Sequence, residues 1–199
     1  QFVFTTINDE TGKISQYVYS MEYRKNANKQ KFEKVKDLDA VIERVHSKWL
    51  TFMRKKDTSP QCVASTALEV LYVFSARIGS VGNSAGGTST YGISTLEVRH
   101  LKFAPGKLLI TYKGKDAVQQ KHLLEASASA EAKILYQNLK MLCEGKEPRD
   151  RVFTYDGVSG RPKLLSGGQI NKWFQKLGSP VTVHKLRHVK GTALFNQLL

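Results

Sequence analysis

The stretch of the sequence with the densest functional chemistry runs from Thr182 to Leu199 and reads T-V-H-K-L-R-H-V-K-G-T-A-L-F-N-Q-L-L. Its periodicity predicts a helix capped by the Thr182 side chain, with an apolar stripe of Leu186, Val189, Ala193, Leu194 and Leu198. Beside that stripe stand five basic or potentially basic residues and no acid: His184, Lys185, Arg187, His188 and Lys190. Because Arg187 borders the stripe, we expect its guanidinium to be held in place. A held, planar, bidentate donor suits a phosphate diester, whereas the alternative is a solvated basic face on a core helix.

Two further cations occupy constrained positions. Arg77 is predicted to end an apolar helix just before a Gly- and Ser-rich segment, and Lys115 follows Gly114 at the tip of a predicted hairpin. Two arginines and a lysine that converge on one phosphate would neutralise the charge of a pentacoordinate transition state. A lysine can also protonate a leaving oxygen if neighbouring cations lower its pKa. The ordinary alternatives are a dipole-compensating Arg77, a turn Lys115 and a surface His184.

The overall charge favours a polyanionic partner. Lys and Arg number 31 against 17 acids, which gives a formal net charge of +14 over 199 residues. Such an excess is typical of proteins that bind nucleic acid, and the 41% of apolar residues is enough for a folded core of one or two domains. A membrane partner fits less well, because the sequence has neither a basic amphipathic segment with an aromatic face nor a long apolar run.

Motifs for metals and nucleotides are missing from the sequence. It contains no H-E-x-x-H, Walker A or zinc-binding Cys/His spacing, so an enzyme of this kind must rely on side-chain cations and a covalent nucleophile, without a cofactor. Cys62 and Cys143 lie far apart, which predicts free thiols in a reducing, intracellular compartment. The first residue is Gln1 and the helical pattern still runs at Leu199, from which we expect a fragment or a partly ordered chain.

Hydrophobic periodicity predicts a mostly helical α+β fold with one small three-stranded antiparallel sheet. The predicted elements are a strand pair around Asp9–Gly12, a basic loop over Arg24–Lys36, helices over Asp37–Lys56 and Ser59–Gly79, strands over Ile93–Phe103, Lys107–Tyr112 and Val118–Leu124, a helix over Ser127–Cys143, a loop-rich stretch over Gly145–Pro162, a helix from Ser166 and the final helix. We divide the chain into residues 1–33, a strand pair with a basic loop, and residues 34–199, one domain that is incomplete at its C-terminus.

Five motifs, in this order, give the sequence a family resemblance. They are D-E-T-G-K-I-S-Q-Y-V-Y at Asp9–Tyr19, A-R-I-G at Ala76–Gly79, T-Y-G-I-S-T-L-E-V-R-H-L at Thr90–Leu101, Y-K-G-K-D at Tyr112–Asp116 and K-L-R at Lys185–Arg187. Together they resemble the catalytic domain of type IB DNA topoisomerases of the short poxvirus and bacterial kind. Tyrosine recombinases share that catalytic fold.

The resemblance implies that a tyrosine cleaves one DNA strand through a 3′-phosphotyrosyl intermediate, and that religation relaxes supercoils without ATP or metal. Arg77 and Arg187 would hold the non-bridging oxygens of the scissile phosphate, Lys115 would protonate the leaving 5′ oxygen, and His184 would add a phosphate contact. The partner is duplex DNA, which a monomer encircles. We predict DNA contacts at Gly79, Tyr91, Arg99, Lys102, Lys113, His188 and Lys190 and along the Arg24–Lys36 stretch, and we expect the Gly- and Ser-rich segment to become ordered on DNA.

Two departures from the family pattern keep other functions open. The family's second histidine and its tyrosine nucleophile are expected beyond Leu199, and neither Tyr136 nor Tyr155 suits the role, so the chain as given should bind DNA without cleaving it. The small N-terminal clamp domain is also missing from the pattern. The run H-K-L-R-H at His184–His188 matches the H-x-x-R-H of tyrosine recombinases. A recombinase or integrase is therefore one alternative, and a non-catalytic DNA-binding module is another.

Overall fold

Helices and three small hairpin sheets make up the described part of the chain. The structure, a computed structural model, describes residues 2–12, 14–79, 90–157 and 160–189. The elements are β1 (Phe2–Ile7), β2 (Ile14–Tyr19), α1 (Met21–Asp39), α2 (Ile42–Met53), α3 (Pro60–Phe74), β3 (Leu101–Ala104), β4 (Lys107–Lys113), β5 (Gln119–Glu125), α4 (Ala130–Cys143), β6 (Thr154–Asp156), β7 (Pro162–Leu164) and α5 (Gly167–Lys176). Most of the predicted Gly- and Ser-rich segment and the predicted helix beyond residue 189 lie outside the described residues. None of the described helices is long and apolar enough to cross a membrane.

The predicted α+β class and its three-stranded sheet are confirmed. Strands β3, β4 and β5 pair antiparallel in that order, with Leu101 opposite Ile110 and Tyr112 opposite Gln120. Alternate residues of β4 point into the core, because Leu108, Ile110 and Tyr112 are buried. The predicted strand pair around Asp9–Gly12 is also confirmed as the β1–β2 hairpin.

The basic stretch Arg24–Lys36 is helical, so its prediction as a loop was wrong. It lies within α1, whose first turn is capped by the Ser20 hydroxyl accepting from the Tyr23 N–H. The helix is polar and mostly exposed, so it lacks the apolar stripe that would reveal it.

The predicted helix Asp37–Lys56 is divided between two helices, because the helical conformation is interrupted at Ala40–Val41 before α2 begins. Helix α1 also runs through the predicted boundary between residues 33 and 34.

The predicted strand Ile93–Phe103 was wrong over its first eight residues. Two 3₁₀ turns, Ile93–Thr95 and Val98–His100, precede β3. Side chains satisfy the local backbone there: Thr95 Oγ1 accepts from the Gly92 N–H at 2.9 Å, and His100 Nδ1 accepts from the Glu97 N–H at 3.0 Å. Such local bonds compete with a strand ladder. The stretch 145–162, predicted as loop-rich, also contains β6 and leads into a β6–β7 hairpin.

Helices α3, α4 and α5 are found close to their predicted ranges, but α4 begins at Ala130 instead of Ser127 and α3 does not end as predicted. Ser59 caps α3 with Pro60 in its first turn, Ser129 caps α4, and Ser166 caps α5. Helix α3 ends at Phe74 instead of Gly79, because Ser75 adopts a left-handed conformation with φ 50°. Arg77 therefore lies beyond the last helical turn, two residues after Ser75, and not at the end of the helix itself as predicted.

Three hydrogen-bonded side chains, Glu69, Trp49 and His46, fix α3 against α2. The Glu69 carboxylate on α3, 3% exposed, accepts from the indole N–H of Trp49 at 2.7 Å and lies 2.9 Å from Nε2 of His46. Trp49 is fully buried and its ring also packs against Phe174 of α5. Since a buried carboxylate needs such partners, this arrangement makes α3 a rigid support for the residues that follow it.

Residues 76–79 are held by backbone contacts to the first 3₁₀ turn. The carbonyl oxygens of Arg77 and Ile78 accept from the N–H groups of Ile93 and Ser94 at 2.9 and 2.8 Å. Gly79, with φ 81°, packs directly on Gly92, where a Cβ would lie 2.4 Å from the Gly79 Cα atom and 2.8 Å from the Arg77 carbonyl oxygen. Only glycine permits this approach, which fixes the backbone of Arg77.

We expect Gly92→Ala to lower the free energy of unfolding by about 1–3 kcal/mol, the usual cost of forcing extra atoms into a packed site. The added methyl group would meet the backbone of Gly79 and Arg77, which cannot yield as a flexible side chain would. Equilibrium urea unfolding of the chain measures the effect. Gly168→Ala in α5 is the matched control, because its Cβ would have only Ser166 Oγ nearby, at 3.9 Å. Equal stability of the two variants would contradict the close approach.

Candidate active site

Three predicted catalytic cations line one cavity. Its volume is about 200 Å³, and Arg77, Lys115 and Arg187 all contribute to its wall. They come from the segment after α3, the tip between β4 and β5, and the helical residues 186–189. Residues far apart in the sequence therefore meet at a single place, as the prediction requires.

Arg187 is positioned by a buried side of its own segment. The 3₁₀ turn Val183–Lys185 leads into the helical residues 186–189, and Val183, Leu186 and Val189 are buried. The predicted side-chain cap by Thr182 was wrong, because Thr182 forms no such bond and the Val183 N–H donates to Asn171 Oδ1 of α5 instead. The predicted apolar stripe is confirmed for its described members, since Leu186 and Val189 are both buried.

The Arg187 guanidinium is anchored at the end of α3. Its Nε donates to the Ser75 carbonyl oxygen at 2.8 Å, and the side chain is half-buried. This bond occupies one of the five N–H groups of the guanidinium and leaves the two terminal nitrogens without a partner among the described residues. The side chain is thus held in the manner expected of a phosphate-binding arginine.

The two arginines repel each other, and neither is paired with an acid in the described ranges. Burial lowers the pKa of Arg187, the nearby charge of Arg77 lowers that pKa further, and Tyr112 opposes both effects. Within residues 2–12, 14–79, 90–157 and 160–189, no ion pair includes either arginine. The Asp116 carboxylate also lines the cavity without pairing with them. A fixed excess of positive charge in a concave site favours binding of an anion.

Lys115 lies on a tight tip beyond the sheet. The 3₁₀ turn Lys115–Ala117 follows Gly114, whose N–H donates to the Val118 carbonyl oxygen at 2.8 Å. Asp116 and Ala117 both have left-handed backbone conformations, with φ 61° and 58°. Such conformations are costly for residues other than glycine and are frequent at functional sites. The lysine itself is exposed, so its amine can reach a ligand at the cavity mouth.

His184 belongs to the same electrostatic cluster. Its ring lies 5.5 Å from that of His188, measured between centroids. Partial shielding from water lowers the pKa of His184, and the neighbouring cations His188, Arg187, Lys185 and Arg77 lower that pKa further. The imidazole is therefore neutral at neutral pH and is ready to gain a proton when an anion arrives.

Of the other predicted DNA-contact residues, Tyr91 lines the cavity, whereas Arg99, Lys102 and Lys113 are not among its lining residues. Lys102 on β3 and Lys113 on β4 are exposed. The Arg99 guanidinium donates to Glu97 at 2.7 Å and to the Tyr91 hydroxyl at 3.0 Å, so its charge is partly compensated. Tyr91 lines the cavity, and its N–H donates to the Lys113 carbonyl oxygen at 2.8 Å.

Gly79 and the two basic residues after Arg187 complete this set. Gly79 packs on Gly92 and supports the backbone that carries Arg77. His188 is exposed beside His184, and Lys190 lies outside the described residues.

Tyr112 and Gln120 also line the cavity, and the sequence prediction missed both. The available signal was the alternation of β4, which places Tyr112 on the same side of the strand as the buried Leu108 and Ile110.

Comparison with known proteins identifies the family. The family described as "Eukaryotic DNA topoisomerase I, catalytic core" matches residues 20–199. The chain is 25% identical over 196 residues to DNA topoisomerase 1B of Acanthamoeba polyphaga mimivirus, which covers 96% of this chain and 55% of the viral protein. It is 23% identical over 164 residues to the mitochondrial DNA topoisomerase I of Rattus norvegicus, which covers 79% of this chain and 25% of the rat protein.

A solved structure also shows similarity. It is the pre-cleavage complex of the XerH site-specific recombinase with its difH substrate, at 17% identity and a TM-score of 0.44, and the alignment covers 76% of this chain and 41% of that chain. The chain spans about half the length of the viral topoisomerase and a quarter of the rat protein. The family match over residues 20–199 shows that the chain belongs to the DNA topoisomerase I catalytic-core family.

Proposed function

We propose that this chain is the phosphate-binding part of a type IB DNA topoisomerase that relaxes supercoiled duplex DNA. The observation that carries the proposal is the cavity where Arg77, Lys115 and Arg187 meet while no carboxylate neutralises the arginines among the described residues. A pentacoordinate phosphorane is the species that such a site stabilises best, because its equatorial oxygens carry the developing charge. Family membership supplies DNA as the source of that phosphate.

In the proposed reaction a tyrosine oxygen attacks the scissile phosphorus and the bond to the 5′ oxygen breaks. A phosphotyrosyl ester forms at the 3′ end, and the leaving 5′ oxygen takes its proton from Lys115. Arg77 and Arg187 hold the non-bridging oxygens, and His184 contributes a further contact. Religation reverses these steps and regenerates the tyrosine. The energy of the broken diester is kept in the phosphotyrosyl bond, so neither ATP nor a metal ion takes part.

The nucleophilic tyrosine is proposed to come from outside this chain. The Tyr136 hydroxyl donates to the Ala104 carbonyl oxygen at 2.9 Å, and the Tyr155 hydroxyl accepts from Gln169 at 2.8 Å. Neither of these two tyrosines lines the cavity. Of the two that do, the Tyr91 hydroxyl accepts from Arg99 at 3.0 Å, and burial raises the pKa of Tyr112 to about 12. The 199-residue chain by itself should therefore bind duplex DNA without cleaving it, and the complete protein that contains it should act as a monomer around the duplex.

Single substitutions in the cavity should separate catalysis from binding. In the complete protein, Arg77→Ala, Lys115→Ala and Arg187→Ala should each slow relaxation of supercoiled plasmid by about 10²-fold or more, because each removes one preorganised donor to the transition state. The assay contains EDTA and no ATP. Affinity for a duplex oligonucleotide, measured by fluorescence anisotropy, should fall far less than the relaxation rate.

Lys140→Ala is the control for this series, because Lys140 is an exposed lysine on α4 outside the cavity, and its relaxation rate should stay unchanged. Equal losses of binding and relaxation in the three cavity variants would favour a non-catalytic DNA-binding module. Strand exchange between paired sites, without relaxation of plasmid lacking such sites, would favour a recombinase, as the H-x-x-R-H run around Arg187 suggests.

DNA binding by the chain should take up a proton at His184. Its pKa lies below the ordinary value in the free protein, through partial shielding and the nearby cations, and a phosphate beside it should raise that pKa. The binding constant should therefore rise as pH falls through the pKa of the complex and level off below the lowered pKa of the free protein. Anisotropy titrations between about pH 5 and 8 measure this, over the range in which a histidine near its ordinary pKa titrates.

His184→Gln should remove this component of the pH dependence while leaving the affinity at high pH nearly unchanged. His122→Gln is the comparison. Neither histidine is among the residues that line the cavity, and burial lowers the pKa of both, but the charges of Arg187 and Arg77 lower only that of His184. A pH profile that is the same in His184→Gln and the unmodified chain would contradict a phosphate contact by His184.

A further inference from the structure

Tyr112 is a cavity residue to which the proposed reaction gives no role. It lies near the end of β4, is only 3% exposed, and lines the same cavity as Arg77 and Arg187. Its ring contacts those of His100 and His122, at centroid distances of 6.4 and 6.0 Å. A buried ring with such neighbours has little freedom to change its position.

The Tyr112 hydroxyl lacks a protein partner within the described ranges. The hydroxyl of Tyr91, the other tyrosine of the cavity, is bonded to Arg99, and no comparable bond is formed by that of Tyr112. The Tyr112 side chain forms part of the cavity wall together with Arg187, whose charge acts on the phenol. Because a buried tyrosine hydroxyl usually finds a hydrogen-bond partner, an external acceptor is expected there.

The surroundings determine what that acceptor must be. Burial raises the pKa of Tyr112 to about 12, although the charge of Arg187 acts in the opposite direction, so the phenol keeps its proton and can donate. Arg187 cannot serve as its acceptor, since a guanidinium has donors only. A phenol and a guanidinium that face the same space can both be satisfied by an anionic oxygen with several lone pairs.

We propose that the Tyr112 hydroxyl donates a hydrogen bond to a non-bridging oxygen of the scissile phosphate, beside Arg187. This inference rests on the proposed function and adds a substrate contact to it. Tyr112 acts as a neutral donor and not as the nucleophile, since its oxygen keeps its proton throughout. The bond strengthens as charge accumulates on the phosphoryl oxygens, so it favours the transition state over the bound substrate.

Tyr112→Phe in the complete protein tests this contact. The substrate is a duplex with a nick placed so that the short leaving strand dissociates, which makes cleavage a single turnover. Loss of a hydrogen bond to a charged group should slow formation of the covalent adduct by about 10- to 100-fold. Duplex affinity should change by no more than about 3-fold. Tyr136→Phe is the matched control, because it removes a hydroxyl bonded only to a backbone carbonyl outside the cavity.

A methylphosphonate at the scissile position locates the oxygen. On the diastereomer that lacks the oxygen facing Tyr112, the unmodified protein and Tyr112→Phe should cleave at the same rate, whereas the other diastereomer should preserve the difference. A difference of equal size on both diastereomers would overturn the proposal. So would a Tyr112→Phe variant that cleaves as fast as the unmodified protein.

The same experiment separates this inference from the function on which it rests. Complete loss of adduct in Tyr112→Phe, with DNA binding intact, would make Tyr112 the nucleophile and overturn the proposed donor role. No adduct from the unmodified protein would overturn the proposed function itself. If the unmodified protein forms a normal adduct and Tyr112→Phe forms it at the same rate, this inference alone would be overturned.

Discussion

Two guanidinium groups line one cavity, and neither forms an ion pair within the described part of the chain. The rest of the site follows from this constraint. Arg77 lowers the pKa of Arg187, which shows that their charges interact through a partly desolvated space. Like charges in such a place oppose folding unless their positions are enforced. The fold must therefore supply rigid attachments for both residues, and an anion that enters between them relieves the repulsion.

Those attachments are mostly backbone interactions. The Arg187 guanidinium bonds to the carbonyl oxygen of Ser75, and the segment of Arg77 is joined to Ile93 and Ser94 by a short ladder. The close packing of Gly79 on Gly92 completes this attachment. Helix α3 is itself fixed by its buried Glu69. The positions of Arg77 and Arg187 therefore depend on the packing of the core. Little rearrangement is then needed when the anion binds, which is the condition for effective electrostatic catalysis.

The sequence was a good guide wherever local patterns carry the information. Strands β3, β4 and β5 were predictable from their turns, and α3, α4 and α5 from their capping serines. Helix α1 was missed because it is polar and mostly exposed, without an apolar stripe to mark it as helical. The two 3₁₀ turns before β3 were missed because side-chain bonds from Thr95 and His100 replace the strand ladder.

In the candidate site, too, some features were predictable from local sequence, and others depend on contacts between distant segments. The cationic residues could be predicted because their chemistry is visible in the residue types and in the family resemblance. The end of α3 at Phe74 could not, since it depends on a left-handed Ser75 and on contacts with a segment that comes later in the chain. Tyr112 was missed because an aromatic residue on the buried side of a strand looks like ordinary core. Only the assembled cavity shows that Tyr112 lines the same space as the two arginines.

The most direct measurement is a crystal structure of this chain bound to a DNA duplex. The account predicts that guanidinium nitrogens of both Arg77 and Arg187 lie within about 3.2 Å of non-bridging oxygens of one and the same phosphate. A complex in which the two arginines contact different phosphates, or in which the cavity between them contains no phosphate, would contradict it.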